Sequence, residues 1–171
     1  MWMGKAALAA LLGICATDPA AAQTRRHASD QTYGYVYGEF THLSASGSSL
    51  DGGGIGGGWH FTRLLGIQGG VDYFDHSAVR YTNSYIEAML TYPVTSTFSI
   101  YGSLGGSYLD AWTDVPSQLG SLTVSRSSTG YRVGIGFEHW FAEHWGLRAG
   151  YHRQNAGGVA DTMNIGIGFK F

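Results

Sequence analysis

The sequence predicts an all-β fold, an eight-stranded antiparallel up-and-down transmembrane β-barrel. Three observations carry the prediction. Eight segments alternate apolar and polar residues with period two, each about ten residues long, the length a tilted strand needs to cross a bilayer. The composition of 27 glycines, 14% aromatic residues, 3 prolines and only 13% charged residues suits tightly packed strands better than helices. The connections between segments alternate between short and long, the arrangement of outer-membrane barrels, whose short turns face the periplasm.

The first 22 residues read as a secretory signal peptide. Lys5 supplies a positive start, "AALAALLGICA" (Ala6 to Ala16) an apolar run, and Ala20-Ala21-Ala22 a small-residue cleavage site before Gln23. The run is about half the length of a spanning helix. Cys15 invites a lipid-anchor reading, but Ile14 stands where such signals want a small residue. Cleavage near Ala22 removes Lys5, Asp18 and the single cysteine, so the net charge stays at −2 and a mature disulfide is excluded. Without a basic excess, nucleic-acid binding is not expected. Residues 23–31 form a polar, flexible lead-in, and residues 32–171 the barrel.

Each strand follows from its parity. "TYGYVYGEFTHL" sets Val36, Gly38 and Phe40 against Tyr35, Tyr37, Glu39 and Thr41. "GGIGGGWHF" sets Ile55, Trp59 and Phe61 against Gly56, Gly58 and His60. "GIQGGVDYF" sets Ile67, Val71 and Tyr73 against Gln68, Gly70 and Asp72, and "SYIEAMLTY" sets Ile86, Ala88, Leu90 and Tyr92 against Tyr85, Glu87 and Thr91. "FSIYGSLGGSYL" sets Phe98, Ile100, Leu104 and Tyr108 against Tyr101, Ser103 and Ser107. "GYRVGIGFE" sets Tyr131, Val133, Ile135 and Phe137 against Arg132 and Glu138. "WGLRAGYH" sets Trp145, Leu147, Ala149 and Tyr151 against Arg148 and His152, and "TMNIGIGFKF" sets Met163, Ile165, Ile167, Phe169 and Phe171 against Asn164 and Lys170. The apolar face is lipid-facing and nearly free of charge; a soluble sheet would break the pattern with a charged or proline-bearing edge strand.

Short turns are expected at Thr62 to Leu64, Pro93 to Thr97 and Phe141 to His144, and the longest polar loop from about Asp110 to Ser128. Trp59, Phe61, Tyr92, Phe98, Trp145 and Phe171 fall at the short-turn ends, and Tyr73, Tyr108, Tyr131 and Tyr151 near the long-loop ends. Amphipathic rings favour both membrane interfaces, so two belts are expected. A lipocalin-like soluble barrel would bury its apolar face around a ligand and expose its charges; here the charges share the glycine face.

"TGYRVGIGFEHWFAEHWGLRAGYHRQN" and the terminal "IGIGFKF" resemble the small outer-membrane β-barrel proteins, the OmpA-like and opacity-porin-like superfamily. The resemblance implies a Gram-negative cell-envelope protein with multi-pass localisation in the outer membrane. Its partners would be outer-membrane lipid and lipopolysaccharide. It also implies that Phe171 is read by the barrel assembly machinery, and it implies no cell-wall tether, because the sequence shows no peptidoglycan-binding domain.

Parity sends Glu39, Asp72, Glu87, Arg132, Glu138, Arg148 and Lys170 into a narrow lumen. Eight strands leave an interior that side chains fill, so these ions are expected to form a salt-bridge network, with a narrow ion path as the functional alternative. "YHRQNAG" (Tyr151 to Gly157) resembles the active-site run of outer-membrane lipid A deacylases, which makes His152 a weak catalytic candidate. Gln154 stands where that family has its serine nucleophile, and no orienting glutamate follows. The other histidines show no metal-ligand spacing, and "EHWFAEHW" (Glu138 to Trp145) is one residue too long for an inverted zinc motif. It reads instead as two strand ends meeting one interface, with Glu138 the last lumen-facing residue of its strand. "GGGIGGG" precedes no helix, so no nucleotide site and no cofactor is expected; glycine there makes room for Tyr35, Tyr37, Tyr85 and Tyr101. These readings point to a non-enzymatic protein with a structural or adhesin-like role carried by its exposed loops. A deacylase-like hydrolase and a narrow, porin-like small-solute channel are the alternatives.

Overall fold

The computed structural model describes residues 32–45, 47–76, 79–117 and 120–171; the expected signal peptide and lead-in lie outside the described residues. Eight strands follow in chain order: β1 (Tyr33–Ala45), β2 (Ser48–His60), β3 (Leu65–His76), β4 (Val79–Pro93), β5 (Phe98–Ser117), β6 (Gly120–Trp140), β7 (Trp145–Asn155) and β8 (Val159–Lys170). They close into one barrel in sequence order, every neighbouring pair antiparallel, and β1 pairs with β8 from Tyr35↔Lys170 to Ser44↔Asp161. Closure leaves no edge along the barrel wall, the condition for placing strands in lipid.

Alternation along the strands sorts the side chains. On β1, Phe40 is 54% exposed on the outer surface and Tyr37 only 5% exposed on the inner one. Ile55, Leu104, Ile135 and Ile167 likewise stand outside, while Tyr35, Tyr85, Met89 and Tyr101 are buried inside. The inward tyrosines fit because glycine lies beside them. A Cβ on Gly58 would collide with the Tyr35 ring, one on Gly56 with Tyr37, one on Gly70 with Tyr85 and one on Gly136 with Tyr101. Three turns at one end, between β2 and β3, β4 and β5, and β6 and β7, are short. In two of them a threonine hydroxyl accepts backbone N–H bonds: Thr62 from Leu64 and Leu65, and Thr95 from Thr97 and Phe98.

The opposite end differs from the loop expectation. Residues 110–117 and 120–128 are strand rather than loop: β5 and β6 continue as a ladder to Ser117↔Gly120. Above Tyr131, β6 no longer pairs with β7, whose ladder with it begins at Arg132↔Gln154, and β4 leaves β5 at Thr113. Only the last four pairs, Asp114↔Thr123 to Ser117↔Gly120, form a two-stranded ribbon, which extends roughly 14 Å beyond β4 at about 3.4 Å per residue. Polar composition does not prevent pairing there; two polar arms satisfy each other's backbone while both faces meet water. Glycines stand in two of the other connections at this end. Gly47 (φ 84°) lies between β1 and β2, and Gly157 (φ 73°) between β7 and β8, in the left-handed region that glycine adopts without strain.

Two apolar clusters lie inside. Tyr35, Tyr37, Met89 and Tyr101 form one towards the short-turn end, with Tyr33 and Trp140 packed on it. Leu43, Phe74 and Ala160 form the other at the hairpin end, with Ala45, Leu50 and Tyr81 packed on it.

Candidate functional site

Between these clusters the lumen is filled with ions and their partners. Arg132, projecting from β6, faces the carboxylates of β3 and β4. Its Nε is 3.3 Å from Glu87 Oε1, and its Nη1 is 3.7 Å from Asp72 Oδ2. Its guanidinium lies 4.0 Å from the Tyr85 ring centre, a cation–π contact strengthened by exclusion of water. Asp72 also accepts from Thr41 (3.4 Å) and Asn83 (3.3 Å). Arg148, from β7, centres a second group. It stacks 3.9 Å above the Tyr37 ring, stands 3.9 Å from Glu138 Oε1, and donates to Gln68 Oε1 at 2.6 Å and to Tyr101 at 3.4 Å.

Gln68 joins the two groups, since its amide nitrogen donates to Glu87 at 2.7 Å while its oxygen takes the Arg148 bond. Glu39 meets no arginine; it accepts from Tyr85 (3.2 Å) and from Asn164 (2.8 Å) across the β1–β8 seam. His60 lies 3.9 Å from Glu138, and His152 3.7 Å from Glu87. These two contacts exceed hydrogen-bond length, and both histidines' ring nitrogens lack hydrogen-bond partners. Arg132 is 0% exposed, Glu87, Glu138 and His152 1%, and Gln68 2%. Solvent does not reach the middle of the barrel; Arg132 and Glu87 pair closely, whereas Glu138 accepts no hydrogen bond, so pairing offsets only part of the several kcal/mol that isolated buried charges would cost.

Lys170 stands apart from these ion pairs. As the last residue of β8 it sits at the short-turn end, its ammonium 5.3 Å from the ring centres of both Tyr33 and Trp140. Trp140 also corrects the reading of "EHWFAEHW". β6 runs on to Trp140, whose ring packs against Tyr33 and Tyr35, so Glu138 is not the last inward residue of that strand. Tyr33, stacked on His60 at 4.6 Å, completes this layer.

At the hairpin end the polarity reverses. The inward residues Leu43, Leu50, Tyr81, Leu109 and Ala160 line an apolar cavity of about 250 Å³ with Gln154 at its base. The outward residues there are ionic. His42 bonds Asp51 at 2.6 Å, Arg153 makes two bonds to Asp161 at 2.8 and 3.0 Å, and Asp75 stands opposite Arg80 in the ladder. Among the outward aromatics, Tyr73 and Tyr151 fall just below this ionic level, and Tyr108 and Tyr131 well short of the ribbon's tip. Trp59, Phe61, Tyr92, Trp145 and Phe171 are exposed near the short turns, where Phe98 stacks on Phe137. Among the described residues no group of three or more His, Cys, Asp or Glu could hold a metal ion.

The sequence model of the outer membrane protein beta-barrel domain matches residues 6–171. The chain belongs to this family. Among solved structures, this outer-membrane barrel resembles neisserial surface protein A (TM-score 0.66, 18% identity, 82% of this chain and 97% of that one). It also resembles Ail, the attachment invasion locus protein of Yersinia pestis, solved with the heparin analogue sucrose octasulfate (TM-score 0.61, 18% identity, 82% and 97%). A third neighbour is OprG of Pseudomonas aeruginosa (TM-score 0.62, 15% identity, 83% and 96%). At these identities the likeness is one of fold. No curated protein matches the sequence.

The outer membrane is therefore where this barrel resides. Outer-membrane barrels project their longer excursions outward and keep the periplasmic end short; the β5–β6 hairpin rises beyond its neighbours at the cavity end, so we take the Tyr33–Trp140–Lys170 layer as the periplasmic mouth and the apolar cavity as the outer one. Sequence reasoning did not single out Gln68, Tyr33, Trp140, Leu43 or Phe74. Parity within the quoted segments puts Tyr33, Leu43, Gln68 and Phe74 on the inward face, and two further steps past Glu138 add Trp140.

Proposed function

We propose that the protein is a non-enzymatic outer-membrane barrel whose work is done at its external rim, in surface interaction through the β5–β6 ribbon. One observation carries this reading: the mid-lumen is filled by buried, paired ions, while the ribbon extends beyond every neighbouring strand. The likeness to Ail, named for attachment and solved with a heparin analogue, supports an adhesin-like role. The ionic pairs at the outer ends of β1, β2, β7 and β8 suit contact with lipopolysaccharide headgroups. The exposed Phe171 ring at the periplasmic rim suits recognition by the assembly machinery.

The test replaces residues 111–126 with a two-residue turn and measures attachment of cells displaying the protein to immobilised heparin. The expected result is loss of most attachment with the heat-modifiable gel shift of the barrel retained. Full attachment by the shortened barrel would sink the reading.

A second reading, a narrow solute path, is favoured by the charge count of the lumen. Four buried carboxylates (Glu39, Asp72, Glu87, Glu138) face two buried guanidiniums (Arg132, Arg148), so a path that opened there would prefer cations. Stepwise cation conductance in planar bilayers, raised by Arg148→Ala, is its signature. Lipid hydrolysis finds no support in the geometry: His152 is enclosed in the lumen against Glu87, and its neighbour Gln154 accepts a bond from Arg132.

A further inference from the structure

The periplasmic mouth holds a small cavity of about 150 Å³ whose polar lining combines two cations, several hydroxyls and an indole N–H. Two cations border it: Arg63 from the β2–β3 turn and Lys170 from β8. Neither is in an ion pair among the described residues, and no carboxylate lines the cavity. Thr91 from β4 reaches it with a hydroxyl that is buried (4% exposed) and makes no hydrogen bond, and the Trp140 indole N–H is also buried and unpaired. Ser99 adds a further hydroxyl. The nearest lumen carboxylate, Glu138, stands opposite the cavity-lining Ser99 in the β5–β6 ladder and lies 3.9 Å from both His60 and Arg148.

A buried donor without a partner calls for an explanation, and here several converge from four strands or turns beside two positive charges. Donors converging from several directions suit the tetrahedrally arranged oxygens of a phosphate better than the planar pair of a carboxylate. We propose that the periplasmic mouth is a binding site for a phosphate-class oxyanion, held by Lys170 and Arg63 as charge-assisted donors and by Thr91 and Trp140 as neutral ones. Lys170, seated over the Tyr33 and Trp140 rings, keeps its N–H groups free for the anion. Free phosphate and the phosphate of an inner-leaflet phospholipid headgroup share this chemistry.

The test follows amide and side-chain NMR signals of Thr91, Trp140 and Lys170 in the full barrel. In dodecyl maltoside micelles, which contain no phosphate, added inorganic phosphate should shift these signals saturably. Each of Lys170→Gln and Arg63→Gln should weaken binding roughly tenfold, the worth of one charged hydrogen bond, and the double variant should abolish it. Thr91→Val should weaken it by a smaller factor. Heat-modifiable gel migration checks that each variant is folded. In phosphatidylglycerol nanodiscs, unchanged phosphate titration identifies free phosphate as the occupant. Signals already shifted, and no longer responsive to phosphate, identify the lipid headgroup. Absence of any shift in both media, or saturable binding retained by the double variant, overturns the proposal.

Discussion

The membrane-embedded part of the barrel and the part that rises above it obey opposite rules. At mid-depth the outward residues are Ile55, Leu104, Ile135 and Ile165, and the inward ones include Glu87, Arg132 and Arg148. A few residues further along the same strands, His42, Asp51, Arg153 and Asp161 point outward while Leu43, Leu50, Phe74 and Ala160 point inward. The backbone does not change; the solvent does. Lipid demands an apolar exterior, so polar groups gather inside and pair. Above the lipid, water surrounds the barrel, and it takes on an apolar core as a soluble barrel would. The level of the switch marks the outer membrane surface, near Tyr73 on β3 and Tyr151 on β7.

Substitutions that cross this boundary sharpen the contrast. The largest effect is expected from Arg132→Met, which leaves Asp72 and Glu87 buried without their cation. It should lower unfolding stability in urea-titrated vesicles by about 3–5 kcal/mol, and adding Glu87→Gln should recover part of that loss. Above the boundary, Phe74→Ala should cost about 3 kcal/mol by opening a cavity in the outer cluster, although a lipid-only view of the barrel gives that cluster no role. Ile135→Arg places a charge in the lipid zone and should cost about 2–4 kcal/mol. Ser127→Arg, on the same face of the same strand but above the boundary, should stay within about 0.5 kcal/mol. Equal losses for these two arginines would break the comparison. Gly56→Ala, whose added carbon meets the Tyr37 ring, should cost about 1–3 kcal/mol. Gly38→Ala, with nothing near, should be neutral by the same titration. Arg153→Ala, at an exposed pair, should leave the unfolding midpoint unmoved.

How much of this was legible beforehand depends on depth. Period two, glycine beside tyrosine and the run of ten-residue segments are local signals, and the eight-strand barrel followed from them. The exclusion of soluble-barrel character was applied to the whole length, and it holds only in the lipid zone. Leu43 and Phe74 continue the inward parity, but their apolar character conflicted with the rule drawn from Glu39 and Asp72, so both were passed over. The ribbon was missed because residues 110–128 carry polar side chains, and polarity reads as loop unless backbone pairing is considered separately. Alternation places Gln68 inside, but its bridging role is not legible in the pattern. Its role depends on Glu87 and Arg148 meeting across the lumen, on strands that are not its sequence neighbours, and that meeting is set by the stagger of the closed barrel.

Every ladder in the wall joins strands adjacent in sequence, except the β1–β8 seam. There Asn164 bonds Glu39 across 125 residues of chain, and the terminal backbone of Phe171 exchanges two bonds with Gly34. Seven hairpins can zip as soon as their second strand is available, but the seam has no partner until the whole wall exists. Until then the curled sheet carries two bare edges, open to pairing with anything strand-like nearby. The seam is therefore the closure of greatest sequence separation in the wall. A circular permutant that links β8 to β1 and opens the turn at Gly157 would move that closure to the β7–β8 boundary while keeping the ion contacts of the mid-lumen.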